Sequence, residues 1–338
     1  MEEKINEFQI TLPSNIASQL IGKRAIVTGG TGMIGREVVR MLLDHGASVT
    51  SVSLDDLSLD PRAKYLKGDL SDLQFCLDIC KDVDYLFHIA GIKGSVLVTK
   101  ELPASFFVPL LMMNTNMLEA ARRNKVGKIL YTSSIGAYAP AEIFVEDKDD
   151  PNIPPMDMFP GWAKRMAEMQ IEAYRIQYGM NNFAIVRPSN IYGPGDNFDE
   201  QNAMVIPSLI SRVHRQDKPV MIWGDGSSER DFLHSSDAAL GMILACINGT
   251  DGKPINLGCG YGITIKRLVE TLQEITPFES FFDISKPSGF PRRIMDMSYA
   301  KQRIGFVPQV SLKMGLSQVW NWFTNNKSEH LNKQNYFR

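Results

Sequence analysis

Cysteine is scarce: four residues in 338, at positions 76, 80, 246 and 259. They are too few and too irregularly spaced for a secreted disulfide framework or a Cys-His zinc site. Cys76 and Cys80, in "FCLDIC", fit one face of a helix as small hydrophobes. No run approaches the ~20 apolar residues of a membrane span, and the N-terminal "MEEKINEFQITLPSN" has no apolar signal core. Net charge is nearly absent too, −2 from 36 basic and 38 acidic residues, so neither nucleic acid nor a membrane surface is expected as a partner. A reducing, cytoplasmic setting is the expectation. What remains, 44% apolar and 22% charged, is ordinary globular material for about two domains or one large α/β unit.

Apolar runs set the organisation. "RAIVTGG" reads as a buried strand and "GREVVRMLLDHG" as a helix with apolar residues at helical spacing, closed by Gly46. "SVTSVSL", "VDYLFHIA", "GKILYTSS" and "NFAIVRPSN" repeat the strand signal, separated by helical stretches such as "LMMNTNMLEAARRN" and "KRMAEMQIEAYRIQYG". Strands alternating with helices predict parallel βαβ units and a doubly wound sheet. From Asn190 the chain changes to short elements punctuated by glycine and proline, as in "IYGPGDNFD" and "SKPSGFPRRIMD", which predicts a smaller lobe over the carboxyl edge of the sheet. The expected division is a polar leader over 1–22, a dinucleotide-binding domain over 23–189, a mainly substrate-binding lobe over 190–325 and a charged tail over 326–338.

"VTGGTGMIGREVV" places Gly29, Gly32 and Gly35 between a strand and a helix. That spacing suits a tight turn, close approach of backbone to a pyrophosphate, and close packing of helix on sheet, with the helix N-terminus facing the phosphates. An acid for the adenosine ribose belongs ~20 residues further on. Ser53 lies there, followed by Asp55 and Asp56. The serine suits a 2′-phosphate, whereas the acidic run "LDDLSLD" repels one, and Arg62 is the nearest downstream cation; the balance favours NAD with NADP left open. Asp69 in "KGDLSD" is a candidate for the adenine or an ordinary turn carboxylate.

These segments, with "HIAG", "YTSSIGAY", "GWAKRMAE", "VRPSNIYGPGDNFD" and "GDGSSERDFLHSSDAA", resemble the extended short-chain dehydrogenase/reductase family, in particular its nucleotide-sugar epimerases, dehydratases and GDP-fucose synthases, from about residue 23 to 323. The resemblance implies a Rossmann-type parallel sheet with a C-terminal substrate lobe. It further implies dinucleotide contacts from Gly29, Thr31, Gly32, Met33, Ile34, Gly35, Asp55, Asp69, Leu70, Ile89, Ala90, Gly91, Lys164 and Pro188. Ser134 matches the residue that orients the sugar hydroxyl, with Ser133 as its alternative, and Lys164 the one that binds the nicotinamide ribose. Asn190 would meet the sugar diphosphate, Arg230 and Arg293 would clamp it by bidentate guanidinium contacts, and Trp223 would stack on the base. A homodimer through the two helical stretches quoted above is also implied. His88 and His234 read as structural histidines.

One family residue is missing. A tyrosine is expected four residues before Lys164, and Pro160 stands there. The chemistry needs a group that exchanges a proton near neutral pH within reach of the sugar hydroxyl, which proline cannot do; Pro160 instead suits the first turn of a helix. Phe159, one residue off, is equally inert. Tyr138, Glu142, Glu146 and Tyr192 are the replacement donors to examine. The positions where GDP-fucose synthases carry a proton-shuttling Cys and His fall near Ile135 and Met204, so their epimerisation is not expected here. The expectation is NAD(P)-dependent modification of a nucleotide-diphosphate sugar, a GDP-hexose favoured, by hydride transfer, as epimerase, dehydratase or 4-keto-reductase. The alternative is a degenerate protein that binds the same ligands without catalysis.

Overall fold

The five apolar runs become neighbouring parallel strands: Arg24–Thr28, Ser48–Ser53, Tyr85–His88, Lys128–Thr132 and Phe183–Pro188. The computed structural model describes residues 10–92, 94, 96–199, 201–326 and 329; residues 1–9 of the expected leader and 327, 328 and 330–338 of the expected tail lie outside the described residues. Two further strands complete a seven-stranded sheet in the order Pro254–Leu257, Phe183–Pro188, Lys128–Thr132, Tyr85–His88, Arg24–Thr28, Ser48–Ser53, Lys64–Lys67, with every pairing parallel. Central strands are buried on both faces, as Leu86, Phe87, Ile129 and Leu130 show, because helices cover both sides. Met33–Asp44 and Ser235–Asn248 pack on one face, Pro103–Arg123 and Met158–Tyr178 on the other. This is the doubly wound α/β arrangement expected from the sequence. Its order reverses between Arg24–Thr28 and Tyr85–His88, the switch point where such sheets leave a crevice.

The expected division of the chain needs correction in two places. Leader residues Ile10, Leu12, Ile16 and Leu20 are buried in the large core with Met41 and Leu42, because the outer end of the Met33–Asp44 helix needs an apolar cover. The boundary at 190 is also crossed. Ser235–Asn248 and Pro254–Leu257 return to the large sheet, while Ile143–Phe144 joins a small four-stranded sheet with Arg292–Met295, Glu229–Arg230 and Ile263–Thr264. The smaller lobe keeps its own core around Ile210, Ile222, Leu268, Leu316 and Phe323.

A buried carboxylate ties the lobes together, and a buried imidazole near it starts the helix that returns to the large sheet. Asp231 accepts hydrogen bonds from the backbone N–H groups of Cys259, Gly260 and Met295 at 2.7, 3.0 and 3.3 Å, and from the Ser189 hydroxyl at 3.3 Å. Burial nevertheless raises its pKa. His234 caps the Ser235–Asn248 helix, its Nδ1 accepting from Ser236 N–H at 3.2 Å.

Burial lowers the pKa of His234 to about 3, and burial with the nearby Lys164 charge does the same for His88. An unfolded histidine protonates near 6.5, so between these values the unfolded chain binds more protons and stability falls as pH drops. Each histidine contributes about 1.4 kcal/mol per pH unit across that window. Asn at 234 keeps a cap acceptor but removes one titrating ring. We therefore expect His234→Asn to lose less stability than the parent between pH 6 and pH 4, measured by urea unfolding; parallel acid profiles would refute this.

Candidate functional site

The carboxyl ends of six strands open into one cavity of about 1020 Å³. Its lining begins at the glycine turn. Gly29 has φ +69°, and a Cβ there would stand 2.9 Å from Ala90 Cα; a Cβ at Gly35 would stand 2.0 Å from the Gly29 carbonyl oxygen. No side chain fits at either place, so strand, turn and helix close on one another. Gly32 starts the Met33–Asp44 helix with no side-chain cap, which leaves the first N–H groups directed at the cavity.

The adenosine side is built from the next two strand ends. Thr31 Oγ1 lies 3.0 Å from both Ser53 Oγ and Asp55 Oδ2, and Asp55 Oδ1 accepts from Leu57 N–H at 3.2 Å, so the Asp55 carboxylate is held on the cavity wall. Asp69 serves two purposes. It closes its own turn by accepting from Ser71 N–H at 2.8 Å, and it lines the cavity beside Leu70.

The opposite side rests on a buried chain of hydrogen bonds. Thr28 Oγ1 accepts the N–H groups of Ile89 and Ala90 and donates to His88 Nδ1 at 2.8 Å. His88 Nε2 donates to Asn114 Oδ1 at 3.0 Å, Asn114 Nδ2 donates to Tyr131 Oη at 3.2 Å, and the Tyr131 hydroxyl reaches the Lys164 carbonyl at 3.4 Å. The Asn114 oxygen can only accept, which assigns the proton to Nε2 and keeps His88 neutral. His88 is therefore a structural group that orders Ile89, Ala90 and Gly91 along the cavity.

Lys164 projects from the Met158–Tyr178 helix and donates to the Thr132 carbonyl at 2.7 Å. Loss of water around its ammonium lowers the pKa to about 8, with the Glu168 carboxylate opposing the shift. Ser133 and Ser134, next along the strand, divide their duties. The Ser133 hydroxyl donates to Glu168 Oε1 at 2.5 Å, whereas Ser134 Oγ accepts from Gly136 N–H at 3.0 Å and, among the described residues, donates to none. Glu168 is held in turn by Arg187 at 2.6 and 3.0 Å, and Arg187 by Asp149 at 2.7 Å. Burial works against the Arg187 charge, but Glu168 and Asp149 outweigh it. Glu168 and Arg187 were missed from the sequence, although Glu168 lies one helical turn beyond Lys164, a spacing that puts both on one face.

All fourteen residues expected around a dinucleotide line this cavity, as do Ser133 and Ser134. The remaining four do not. Asn190 is committed to the structure, its Nδ2 donating to the Asp231 carbonyl, and Trp223 is 63% exposed at the end of Val220–Trp223. Arg230 and Arg293 pair directly across parallel strands of the small sheet. Arg230 Nη1 donates to the carbonyls of Glu229 and Phe290, and burial together with the Arg293 charge lowers its pKa to about 10. Burial also lowers that of Arg293, whose buried Nε has no hydrogen-bond partner among the described residues. Its Nη2 lies 3.6 Å from Asp157, and the Asp157 carboxylate packs over Gly136, two residues past Ser134. Two like-charged guanidiniums this close want an anion between them.

Pro160 occupies the first turn of the Met158–Tyr178 helix, where its missing N–H costs nothing. None of the four replacement donors lines the cavity. Tyr138 donates to Asn256 Oδ1 and is held protonated by burial; Tyr192 is likewise enclosed; Glu146 accepts from Asn256 N–H; Glu142 is exposed. Ile135 is a core residue. Among the described residues no group of three or more His, Cys, Asp or Glu is placed to hold a metal, and no helix is long and apolar enough to cross a membrane.

Residues 25–258 match the NAD dependent epimerase/dehydratase family. GDP-L-fucose synthase 1 of Arabidopsis thaliana is 31% identical over 312 residues, covering 90% of this chain and 94% of the relative. GDP-L-fucose synthase of Escherichia coli is 30% identical, covering 90% and 98%. The structure of UDP-glucose 4-epimerase from Thermotoga maritima, solved with UDP-glucose, superposes with a TM-score of 0.78 at 28% identity, covering 90% and 99%. Motif order, strand order and the glycine-lined cavity agree with these matches: the chain belongs to the NAD-dependent epimerase/dehydratase family of extended short-chain dehydrogenases/reductases.

Proposed function

We propose that the protein modifies a nucleotide-diphosphate hexose, a GDP-hexose in first place, by hydride transfer with a bound nicotinamide dinucleotide, as an epimerase, dehydratase or 4-keto-reductase. One observation carries the reading. Arg293 contacts Asp157, which packs against the Ser134 turn, so a ligand whose diphosphate sits between Arg293 and Arg230 brings its sugar toward Ser134 and Lys164. The 30–31% identical GDP-L-fucose synthases support the choice of nucleotide.

The cavity fits the dinucleotide. The turn from Gly29 to Gly35 leaves room for a pyrophosphate and no room for side chains, Asp55 is oriented for the adenosine ribose, and Leu70 and Asp69 border the adenine end. Lys164 would hold the nicotinamide ribose, with Ile89, Ala90, Gly91 and Pro188 along the ring. When bound, the nicotinamide supplies a hydride acceptor and donor. Ser134 donates its free hydroxyl proton to the sugar oxygen and fixes which carbon faces the ring. The clamp arginines hold the diphosphate by charge-assisted contacts, which strengthen once water leaves the crevice. Four free cysteines, three of them buried, support a reducing cytoplasmic setting.

Several outcomes test this. Purified protein given dinucleotide and GDP-, UDP- or CDP-hexoses should form product from at least one, seen by mass spectrometry and at the nicotinamide absorbance. Binding of both ligands without hydride exchange would favour the second reading, a catalytically silent binding protein, for which Pro160 is the argument. Arg293→Met should raise the sugar KM about 10- to 100-fold while kcat changes less.

The Asp55 carboxylate should favour NADH over NADPH, and Asp55→Asn should reduce that preference on the order of tenfold, read by nicotinamide fluorescence titration. An unchanged ratio would remove Asp55 from cofactor choice.

Val108, Met166 and Met169 expose apolar surface on Pro103–Arg123 and Met158–Tyr178, which supports a homodimer through those helices. Light scattering should give twice the 37.9 kDa chain mass, and Met169→Glu should halve it.

A further inference from the structure

Removing the phenol leaves the proton unassigned, and the cavity offers few groups to take it. Its titratable lining consists of Asp55, Asp69, Asp196, Asp199 and Lys164. Asp55 and Asp69 are engaged at the far end, beyond Ser48–Ser53 and Lys64–Lys67. Asp196 and Asp199 belong to the loop whose Gly195 packs on the Arg36 guanidinium, over the glycine turn. Among the described lining residues Lys164 is the titratable group at the Ser134 end and the one cation.

We propose that Lys164 is itself the group that exchanges a proton with the sugar hydroxyl oriented by Ser134, through at most one water. This rests on the nucleotide-sugar reading above. The geometry is favourable in either protonation state. One N–H stays on the Thr132 carbonyl at 2.7 Å, two residues before Ser134, and the rest of the nitrogen faces the cavity opposite Gly91. As the sugar is oxidised, its O–H bond breaks and the proton forms an N–H bond on the neutral amine. The hydrogen on the same carbon leaves as hydride to the oxidised nicotinamide dinucleotide, leaving a keto sugar and an ammonium. Reduction returns both.

The surroundings suit this exchange. Tyr131 of Lys128–Thr132 presents its ring 5.3 Å from Nζ, and burial keeps its phenol protonated. His88 of Tyr85–His88 stays neutral. Asn114 and the residues Pro109, Met112 and Met113 that Pro103–Arg123 presents here carry no charge. Among the described residues Glu168, on its own helix, is the carboxylate acting on the ammonium, and Arg187 of Phe183–Pro188 already pairs with it. A desolvated amine that titrates at about 8 is then matched to proton exchange near neutral pH.

The test has an arm that needs no turnover. Competitive acetic-anhydride labelling of the free protein against pH, read by mass spectrometry, should give Lys164 a midpoint near 8, against roughly 10.4 for exposed lysines; a midpoint of 10 or above overturns the proposal. In the second arm Lys164→Arg keeps a charge for the ribose but gives up no proton. Its dinucleotide affinity, by fluorescence titration, should stay within about fivefold. Its single-turnover hydride exchange should fall on the order of 10²–10⁴-fold and lose the inflection near pH 8. Adding Pro160→Tyr to Lys164→Arg should recover at least tenfold of that loss. A parent and Lys164→Arg with the same rate and pH profile would overturn the assignment alone, whereas a parent that binds dinucleotide and exchanges no hydride with any sugar would overturn the reaction reading beneath it.

Discussion

The hydrogen-bonded chain from Thr28 through His88, Asn114 and Tyr131 to the Lys164 carbonyl is the constraint on which the site depends. It joins three strand ends to two helices, and each link has its donor and acceptor assigned by its neighbours. A buried chain of this kind is rigid because breaking one bond leaves a polar atom without water. Gly91, the glycine turn and Lys164 therefore keep one spacing. The neutral state of His88 follows from the same logic, since a second ring proton would face the Thr28 hydroxyl with nothing to accept it.

Beneath Ser133 a second network uses charge. Glu168, Arg187, Asp149 and Arg165 lie together with little solvent, Arg187 stacked over the Tyr138 ring at 4.2 Å. Buried ion pairs of this kind add little to stability once desolvation is counted, but removing one partner is costly because it strands the others. Their effect here is positional. With Ser133 tethered to Glu168, Ser134 is the hydroxyl left to the cavity. Glu168 also acts electrostatically on Lys164, so the same carboxylate orders the strand end and tempers the amine.

Much of this was readable from residues alone. The parallel sheet followed from five long apolar runs, and the cavity lining from the glycine spacing and the motifs after each strand. What escaped had weak local signals. "KYLK" forms an edge strand of four residues, half-buried at Tyr65 and Leu66 and exposed at both lysines, and "PINL" looks like part of the small lobe until the chain is seen returning to the large sheet. The leader read as polar because its four buried side chains are spread among uncharged polar residues and a proline, and matter only against the Met33–Asp44 helix. Asp157 escaped for a different reason: its partner Arg293 comes from a distant segment, so no spacing announces it. Glu168 offered only its helical spacing from Lys164, its ties to Ser133 and Arg187 being distant in sequence. Trp223 shows the converse, a motif residue whose ring the fold turns largely to solvent.

Asp231 follows Arg230 in sequence and donates its N–H to the Arg293 carbonyl, while its carboxylate gathers donors from Ser189, Cys259, Gly260 and Met295. Because those segments belong to both layers, one buried carboxylate sets how the small sheet, and with it Arg230 and Arg293, is seated over the carboxyl edge of the large one.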